Sequence, residues 1–197
     1  MEILVLIALV GIGAWFAYKE GLKESRQPKA SVLDLQDPAT QFKLGQAFRL
    51  GSGVPQNSEE AFSWIQKSAG RGFVDAQNML GFMYNKGEGT NQDSKEAFHW
   101  FHLAAEKGNL RAQTNLGLMY AKPDADIHDF SKAAEWLTKA AEGGVDLAQE
   151  TLGELYYWGR GVQQSYSDSS KWYRLAAAQG SQEAERMLTV MQYKGQS

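Results

Sequence analysis

The sequence predicts an all-α protein of about four 36-residue helix-turn-helix repeats, followed by a C-terminal half-repeat and preceded by one transmembrane helix. Three sets of residues recur at the same period, and such self-similarity is typical of stacked helical repeats. These sets are Trp64, Trp100, Trp136 and Trp172; Gly45, Gly81, Gly117 and Gly153, each preceded by Leu; and Gly72, Gly108, Gly144 and Gly180. Their agreement at one period identifies a repeat protein.

Residues 1–20 are predicted to form a membrane anchor. The run from Ile3 to Tyr18 contains no charged residue. A full span needs about 20 residues, with a lower limit near 17, and a snorkelling Lys19 can lengthen this one. A cleaved signal peptide is the alternative, but such peptides begin with Lys or Arg. This segment begins with Glu2 instead, so we expect an uncleaved anchor.

Positive charge follows the predicted span and does not precede it. The charged side chains are Lys19, Lys23, Arg26 and Lys29. Because positive loops stay on the cytoplasmic side, the sequence predicts a single-pass membrane protein whose repeats face the cytoplasm. A periplasmic location is the alternative.

A polar linker, residues 21–38, joins the anchor to a repeat domain that covers residues 39–197. The linker ends in a predicted helix start, where Asp37 is a capping residue and Pro38 takes the first helical position. The first helix of each repeat follows the pattern "DAQNMLGFMYNKG". Its Ala76, Leu80 and Met83 lie on one apolar face, and the Leu-Gly glycine is predicted to let a neighbouring helix approach closely. A Gly-x-Gly turn then ends the helix.

The second helix of each repeat begins at a capping residue. These residues are Asn57, Asp93, Asp129 and Ser165. Glu60 and Glu96 stand three residues after two of them, so those two helix starts resemble capping boxes. The tryptophan and the residue after it are predicted to belong to a buried stripe. A half-repeat from Glu183 keeps the Ala and Leu positions and has Thr189 where the glycine stands elsewhere.

These motifs resemble the Sel-one-like repeat family, which is related to the tetratricopeptide class. The fourth copy carries the pattern most fully, in "LGELYYWGRGV" and "WYRLAAAQG". The third copy departs from it, because Pro123, Asp124 and Ala125 replace the Gly-x-Gly turn. The resemblance implies a right-handed α-solenoid that holds protein partners, often as an adaptor in membrane-linked or stress signalling.

Neither the amino-acid composition nor the sequence motifs indicate catalytic activity or a bound cofactor. The chain has no cysteine, which excludes disulfides and thiolate sites. Its net charge of −3 gives no reason to expect nucleic acid, and no nucleotide or hydrolase motif is present. His99 and His102 share a helix face, but in the other copies their positions hold Ser, Glu, Lys, Gln, Thr and Arg. We therefore expect surface histidines and no catalytic, cofactor or metal site.

A partner is expected to bind the concave side of the solenoid, which the first helix of each repeat lines. We call the corresponding set of side chains the first-helix face. Its predicted partner-binding residues are Phe42, Gln46, Asn78, Phe82, Asn85, Thr114, Leu118, Glu150, Glu154 and Tyr157. Exposed aromatic and aliphatic residues among them would form an apolar strip. A rim of Lys86, Lys122, Trp158 and Lys194 would favour an acidic and hydrophobic peptide.

The leading hypothesis is therefore a membrane-tethered, non-enzymatic adaptor that recruits a protein or peptide partner. The alternative is a periplasmic or secreted repeat protein with hydrolase or ligand-binding activity, as proposed for some family relatives. The sequence leaves the oligomeric state open.

Overall fold

The computed structural model describes residues 35–123 and 125–196, and this part of the chain folds into nine α-helices without a β-strand. The predicted anchor and residues 21–34 of the linker lie outside the described residues. The helices are α1 (Pro38–Leu50), α2 (Ser58–Gly70), α3 (Val74–Lys86), α4 (Ser94–Glu106), α5 (Leu110–Ala121), α6 (Phe130–Glu142), α7 (Asp146–Trp158), α8 (Tyr166–Ala178) and α9 (Gln182–Tyr193). None of these described helices is long and apolar enough to cross a membrane.

The chain forms two compact units, with the boundary between Ala97 and Phe98 inside α4. Unit 1 contains α1, α2, α3 and the start of α4. Unit 2 contains the rest of α4 and all helices to α9. Within each unit the first helix of a repeat packs against the second helix of the same repeat, and that helix packs against the next first helix. The predicted order of helix pairs and the final half-repeat are therefore confirmed.

The predicted caps are present, and the backbone amides of the cap residues donate to carbonyl groups. Asn57 accepts hydrogen bonds from the amides of Glu59 and Glu60 through Oδ1, at 3.0 and 3.1 Å. The amide of Asn57, which a capping box would pair with Glu60, donates instead to the carbonyl of Phe48 at 2.9 Å. The same bond recurs in the other copies at 2.9–3.0 Å, from Asp93 to Tyr84, Asp129 to Tyr120 and Ser165 to Tyr156. This aromatic position therefore supplies the carbonyl that fixes the start of the second helix.

The Leu-Gly glycines lie where the two helices of a repeat approach most closely. A Cβ atom added at Gly117 would lie 2.6 Å from Cγ of Leu137, and one at Gly45 would lie 2.7 Å from the Ile65 side chain. Contacts this short require the neighbouring side chain to move. The prediction that glycine lets the helices touch is confirmed at these positions.

The second glycine of the Gly-x-Gly turn has a separate role. Gly89 has a φ of 72°, in the left-handed region that favours glycine. A Cβ atom there would also overlap the carbonyl oxygen of Ser58 at the start of α2. Gly161 lies in the same way against Phe130 at the start of α6. The turn therefore packs its backbone against the preceding repeat.

The tryptophans are less buried than the sequence predicts. Trp64, Trp100 and Trp136 are half-buried, whereas the residue after each tryptophan is completely buried. Those buried residues are Ile65, Phe101, Leu137 and Tyr173. The side chain after the tryptophan faces the first helix, and the indole lies beside it at the edge of the pair. Lysine ammonium groups cover two of the indoles, with Lys67 4.3 Å from the ring centre of Trp64 and Lys139 4.1 Å from that of Trp136.

A recurrent buried glutamine, which was not predicted from the sequence, links consecutive repeats. The set is Gln41, Gln77, Gln113 and Gln149, none more than 6% exposed. In three copies Nε2 donates to an alanine carbonyl in the last turn of the preceding second helix, at 3.1–3.3 Å. In the first copy Gln41 donates to the carbonyl of Leu35 at 2.8 Å. The 36-residue spacing of these polar residues was visible in the sequence and could have identified them.

We predict that Gly117→Leu lowers the free energy of unfolding by about 1–3 kcal/mol, because overpacking forces neighbouring side chains and backbone to move. Urea denaturation with a constant m-value would measure it. The matched control is Gly70→Leu, since a Cβ at Gly70 meets no atom within 4 Å. Equal losses in the two variants would contradict the packing role of Gly117.

We also predict that Gln149→Met costs more stability than Gln113→Met. Gln149 makes two hydrogen bonds, because its Oε1 also accepts from Gln179 at 2.8 Å. Gln113 keeps a buried Oε1 without a protein partner. At about 0.5–1.5 kcal/mol for each net bond, Gln149→Met should cost about 1–3 kcal/mol. Gln92→Met, which removes an exposed bond to Asn85, should stay within about 0.5 kcal/mol. The reverse order in urea denaturation would refute this interpretation.

Candidate partner-binding site

The first-helix face of unit 1 is built from neighbouring first helices, α1 and α3. Arg49 of α1 donates from Nε to Glu88 Oε1 at 2.9 Å, and its guanidinium carbon lies 5.5 Å from the ring centre of Phe82 in α3. Phe82 is half-buried. An aromatic side chain and a positioned ion pair are therefore brought together from two repeats.

The other predicted residues of unit 1 are also partly accessible. Phe42 is half-buried, and its ring centre lies 5.3 Å from that of Phe73. Gln46, Asn78 and Asn85 are half-buried as well. All five predicted residues of this unit thus keep some contact with solvent.

In unit 2 the structure leaves three predicted residues accessible. Leu118 is half-buried. Glu150 is also half-buried and accepts a hydrogen bond from the hydroxyl of Ser181 at 2.5 Å. Glu154 is exposed and lies 3.5 Å from Nη1 of Arg160. The carboxylates here are already engaged with neighbouring groups of the chain.

The exposure expected of two predicted partner-binding residues is wrong, because their side chains are buried, while their part in partner binding stays a prediction. Thr114 is 4% exposed, and its hydroxyl donates to the carbonyl of Leu110 within the same helix at 2.9 Å. Tyr157 is also 4% exposed, because it joins a core with Tyr173 and Met191 of α9. Tyr157 is the equivalent of Asn85 two repeats later. The half-repeat covers Tyr157, whereas Asn85 is accessible. The side chains of Thr114 and Tyr157 are therefore not part of the accessible surface of the first-helix face.

A chain of contacts between aromatic and cationic side chains lies in unit 2, and we call it the aromatic–cationic strip. It consists of Lys194, Tyr157, Trp158, Arg160 and Phe130. Nζ of Lys194 lies 3.0 Å from the Tyr157 hydroxyl, and the rings of Tyr157 and Trp158 are 4.8 Å apart. The guanidinium carbon of Arg160 lies 5.8 Å from the Trp158 ring centre and 5.6 Å from that of Phe130. Trp158 and Lys194 were predicted as rim residues from the sequence, whereas Arg160 and Phe130 were not predicted.

The two histidines differ in their surroundings. His99 is exposed, as predicted. His102 is half-buried, with its ring centre 5.9 Å from that of Trp136 and Nδ1 3.6 Å from Glu106. The prediction of a surface side chain is therefore only partly correct for His102. No group of three or more His, Asp or Glu side chains among residues 35–123 and 125–196 is arranged to hold a metal ion.

The pKa values of Asp129 and Tyr173 are shifted because of the structural roles of these residues. The amide of Lys132 lowers the pKa of the Asp129 carboxyl, with a smaller lowering effect from the Ser131 amide, because both bonds stabilise the charged cap. Burial raises the pKa of Tyr173, and the nearby carboxylates of Glu154 and Glu183 raise it further. One of these groups caps a helix and the other lies in the core, so neither shift indicates acid–base catalysis.

The helix pairs coincide with a known family model. The model of the Sel1 repeat matches residues 38–73, 74–109, 110–145 and 147–181. The chain belongs to the Sel1 repeat family. The predicted resemblance and the helical solenoid fold are thereby confirmed. Sel1 repeat proteins are generally protein-interaction scaffolds and are typically non-catalytic.

Solved structures with this fold include c5321, a protective antigen of uropathogenic Escherichia coli. It is 32% identical with a TM-score of 0.79, and the match covers 96% of this chain but only 42% of that protein. A Sel1 repeat protein of Oxalobacter formigenes is 30% identical with a TM-score of 0.72, covering 93% of this chain and 75% of that one. The immunity protein Pa5087 of Pseudomonas aeruginosa shares the fold at 20% identity and a TM-score of 0.51, with 87% and 67% covered. No curated protein matches the chain.

Proposed function

We propose that this Sel1 repeat protein is a membrane-tethered adaptor that recruits a protein or peptide partner through its first-helix face. The observation that carries the proposal is the accessible Phe82, which lies beside an arginine held by Glu88. Aromatic and arginine side chains supply most of the binding energy in many protein interfaces. Leu118 stands at the equivalent position of the next repeat and is also half-buried. Apolar side chains at accessible positions in successive repeats favour a binding role over solvation alone.

The tether rests on the apolar run from Ile3 to Tyr18 and the basic residues after it. The end of the linker is bound to the first repeat. Gln41 donates to the carbonyl of Leu35, and Ser68 donates to that of Pro38 at 2.6 Å. Residues 21–34 would span about 50 Å when fully extended. An anchored chain would thus hold its first repeat within this distance of the membrane, on the cytoplasmic side.

We predict that spheroplasts expressing the full chain protect the repeats from added protease, because the basic residues keep the body in the cytoplasm. The mass of the mature protein should include residues 1–20. Detergent lysis is the control and should expose the repeats to digestion. Digestion in intact spheroplasts would refute the orientation, and a mass lacking the first residues would refute the anchor.

We further predict that Phe82→Ala and Leu118→Ala weaken partner capture without unfolding the chain. Each change should cost about 2 kcal/mol of binding if the side chain is an interface anchor, which is roughly a 30-fold loss. The partner would first be identified by a photoreactive amino acid at Gln46 in intact cells, and binding would then be measured with purified components.

His99→Ala, on the exposed side of a second helix, is the control and should bind normally. Circular dichroism would verify the fold of each variant. If Phe82→Ala unfolds the protein, Phe82 belongs to the core and Leu118→Ala decides the test. If folded variants at both positions bind like the parent, the first-helix face is not the binding surface.

A further inference from the structure

We infer that the aromatic–cationic strip of unit 2 is a docking site for an acidic peptide segment that carries an apolar side chain. The inference deepens the proposed function and rests on it, since it gives the adaptor's partner a defined chemistry. It depends on three properties of the strip: an accessible indole, a guanidinium held in place, and local positive charge in a chain that is negative overall.

Trp158 is the accessible indole. It is the last residue of α7 and is 55% exposed. The equivalent positions of the other copies hold Leu50, Lys86, Lys122 and Lys194. The Tyr157 ring stands nearly perpendicular to the indole, at 86°. An edge-to-face contact of this kind stabilises the position of the ring. Trp158 therefore offers a fixed apolar surface to solvent, as binding anchors do.

Contacts within the unbound chain already hold the side chain of Arg160 in position. Its guanidinium carbon lies 5.8 Å from the ring centre of Trp158 and 5.6 Å from that of Phe130, and Nη1 lies 3.5 Å from Glu154. The side chain is nevertheless 47% exposed. Because three neighbours already restrict its motion, binding through Arg160 loses less side-chain entropy than binding through a free arginine. The planar guanidinium also suits a carboxylate, which it can bind through two hydrogen bonds.

The charge of the strip selects an acidic partner. Lys194 contacts Tyr157 and Arg160 contacts Trp158, and Glu154 is the one carboxylate in contact with either cation in the described contacts. A lysine at the end of a helix also stabilises the helix dipole. That role does not account for Lys194, whose ammonium reaches across to the Tyr157 hydroxyl of α7. The strip thus combines an exposed indole with a cation beside it, Arg160, and a second cation on the neighbouring tyrosine, Lys194, which suits an apolar side chain near carboxylates.

The first test compares three labelled peptides that differ in one property each. The parent probe has Glu and Asp residues on both sides of a Phe. The second probe has Gln and Asn in place of the acids, and the third has Ser in place of Phe. Fluorescence anisotropy with the full chain in non-ionic detergent should show the parent probe binding about tenfold more tightly than either of the others. Its affinity should fall as salt increases, because the contacts are charged. Equal binding of the three probes would overturn the inference.

The second test uses variants with matched controls. Trp158→Ala and Arg160→Gln should each weaken binding of the parent probe about tenfold, and Lys194→Gln should mainly reduce its salt dependence. Leu50→Ala removes an exposed apolar side chain from the equivalent position of the first copy. Lys171→Gln removes a cation 5.2 Å from the Trp172 ring. Both controls should bind like the parent chain. Trp158→Phe, which keeps an aromatic ring, replaces the alanine variant if that one unfolds.

The results separate this inference from the proposed function. If crosslinking at Gln46 captures a partner that Trp158→Ala binds normally, the strip is not its docking site but the adaptor function stands. The acidic probe could bind through Trp158 and Arg160 while no partner is captured in cells. That result would support the strip as a site for acidic peptides and would refute the adaptor function. Concentration-dependent self-association that Trp158→Ala abolishes would show a second copy as the occupant and overturn the inference.

Discussion

The hydrogen bond from each second-helix cap to an aromatic carbonyl fixes the geometry of every repeat. The amide of Asn57 donates to Phe48, and the three later copies repeat the bond with tyrosine carbonyls. It joins two helix ends, each of which would otherwise carry unpaired backbone groups. Because the turn between the helices is fixed in this way, the helices run close enough for Gly45 and Gly117 to be necessary. The close contact between the two helices, the sequence of the turn that joins them and the cap of the second helix therefore depend on one another.

Consecutive repeats are joined by a different device, a buried amide. An isolated helix pair cannot bury its apolar face, and stacking supplies the missing cover. In three copies the glutamine in the first turn of the first helix donates to the end of the preceding second helix. This hydrogen bond fixes the orientation of a contact that apolar packing alone would leave less specific. At the first repeat the carbonyl of Leu35 takes the place of that helix end. The end of the linker thus completes the first repeat as well as leading to the predicted anchor.

The period, caps and turns were predictable because each depends on residues close together in the chain. Burial was less predictable. Trp100 and Phe101 are adjacent and both apolar, and only the packed helix pair shows that Phe101 faces the core. Tyr157 aligns with the accessible Asn85, yet α9 covers it. The contact between Arg160 and Phe130 joins a turn to another repeat's helix. Its residues lie 30 positions apart and belong to no common motif, so periodicity did not reveal it.

The position that ends a first helix or directly follows it can change its side chain at little structural cost. It holds Leu50, Lys86 and Trp158 at the ends of α1, α3 and α7, and Lys122 and Lys194 directly after α5 and α9. Leu50 and Trp158 are both exposed, and α1 and α7 nevertheless end alike, in a glycine with left-handed backbone. The cap bond and the glycine contact involve other atoms, so neither restricts the side chain at this position. A repeat can therefore exchange a cation for an indole while its neighbours keep their packing, and this independence allows one fold to present different surface chemistries.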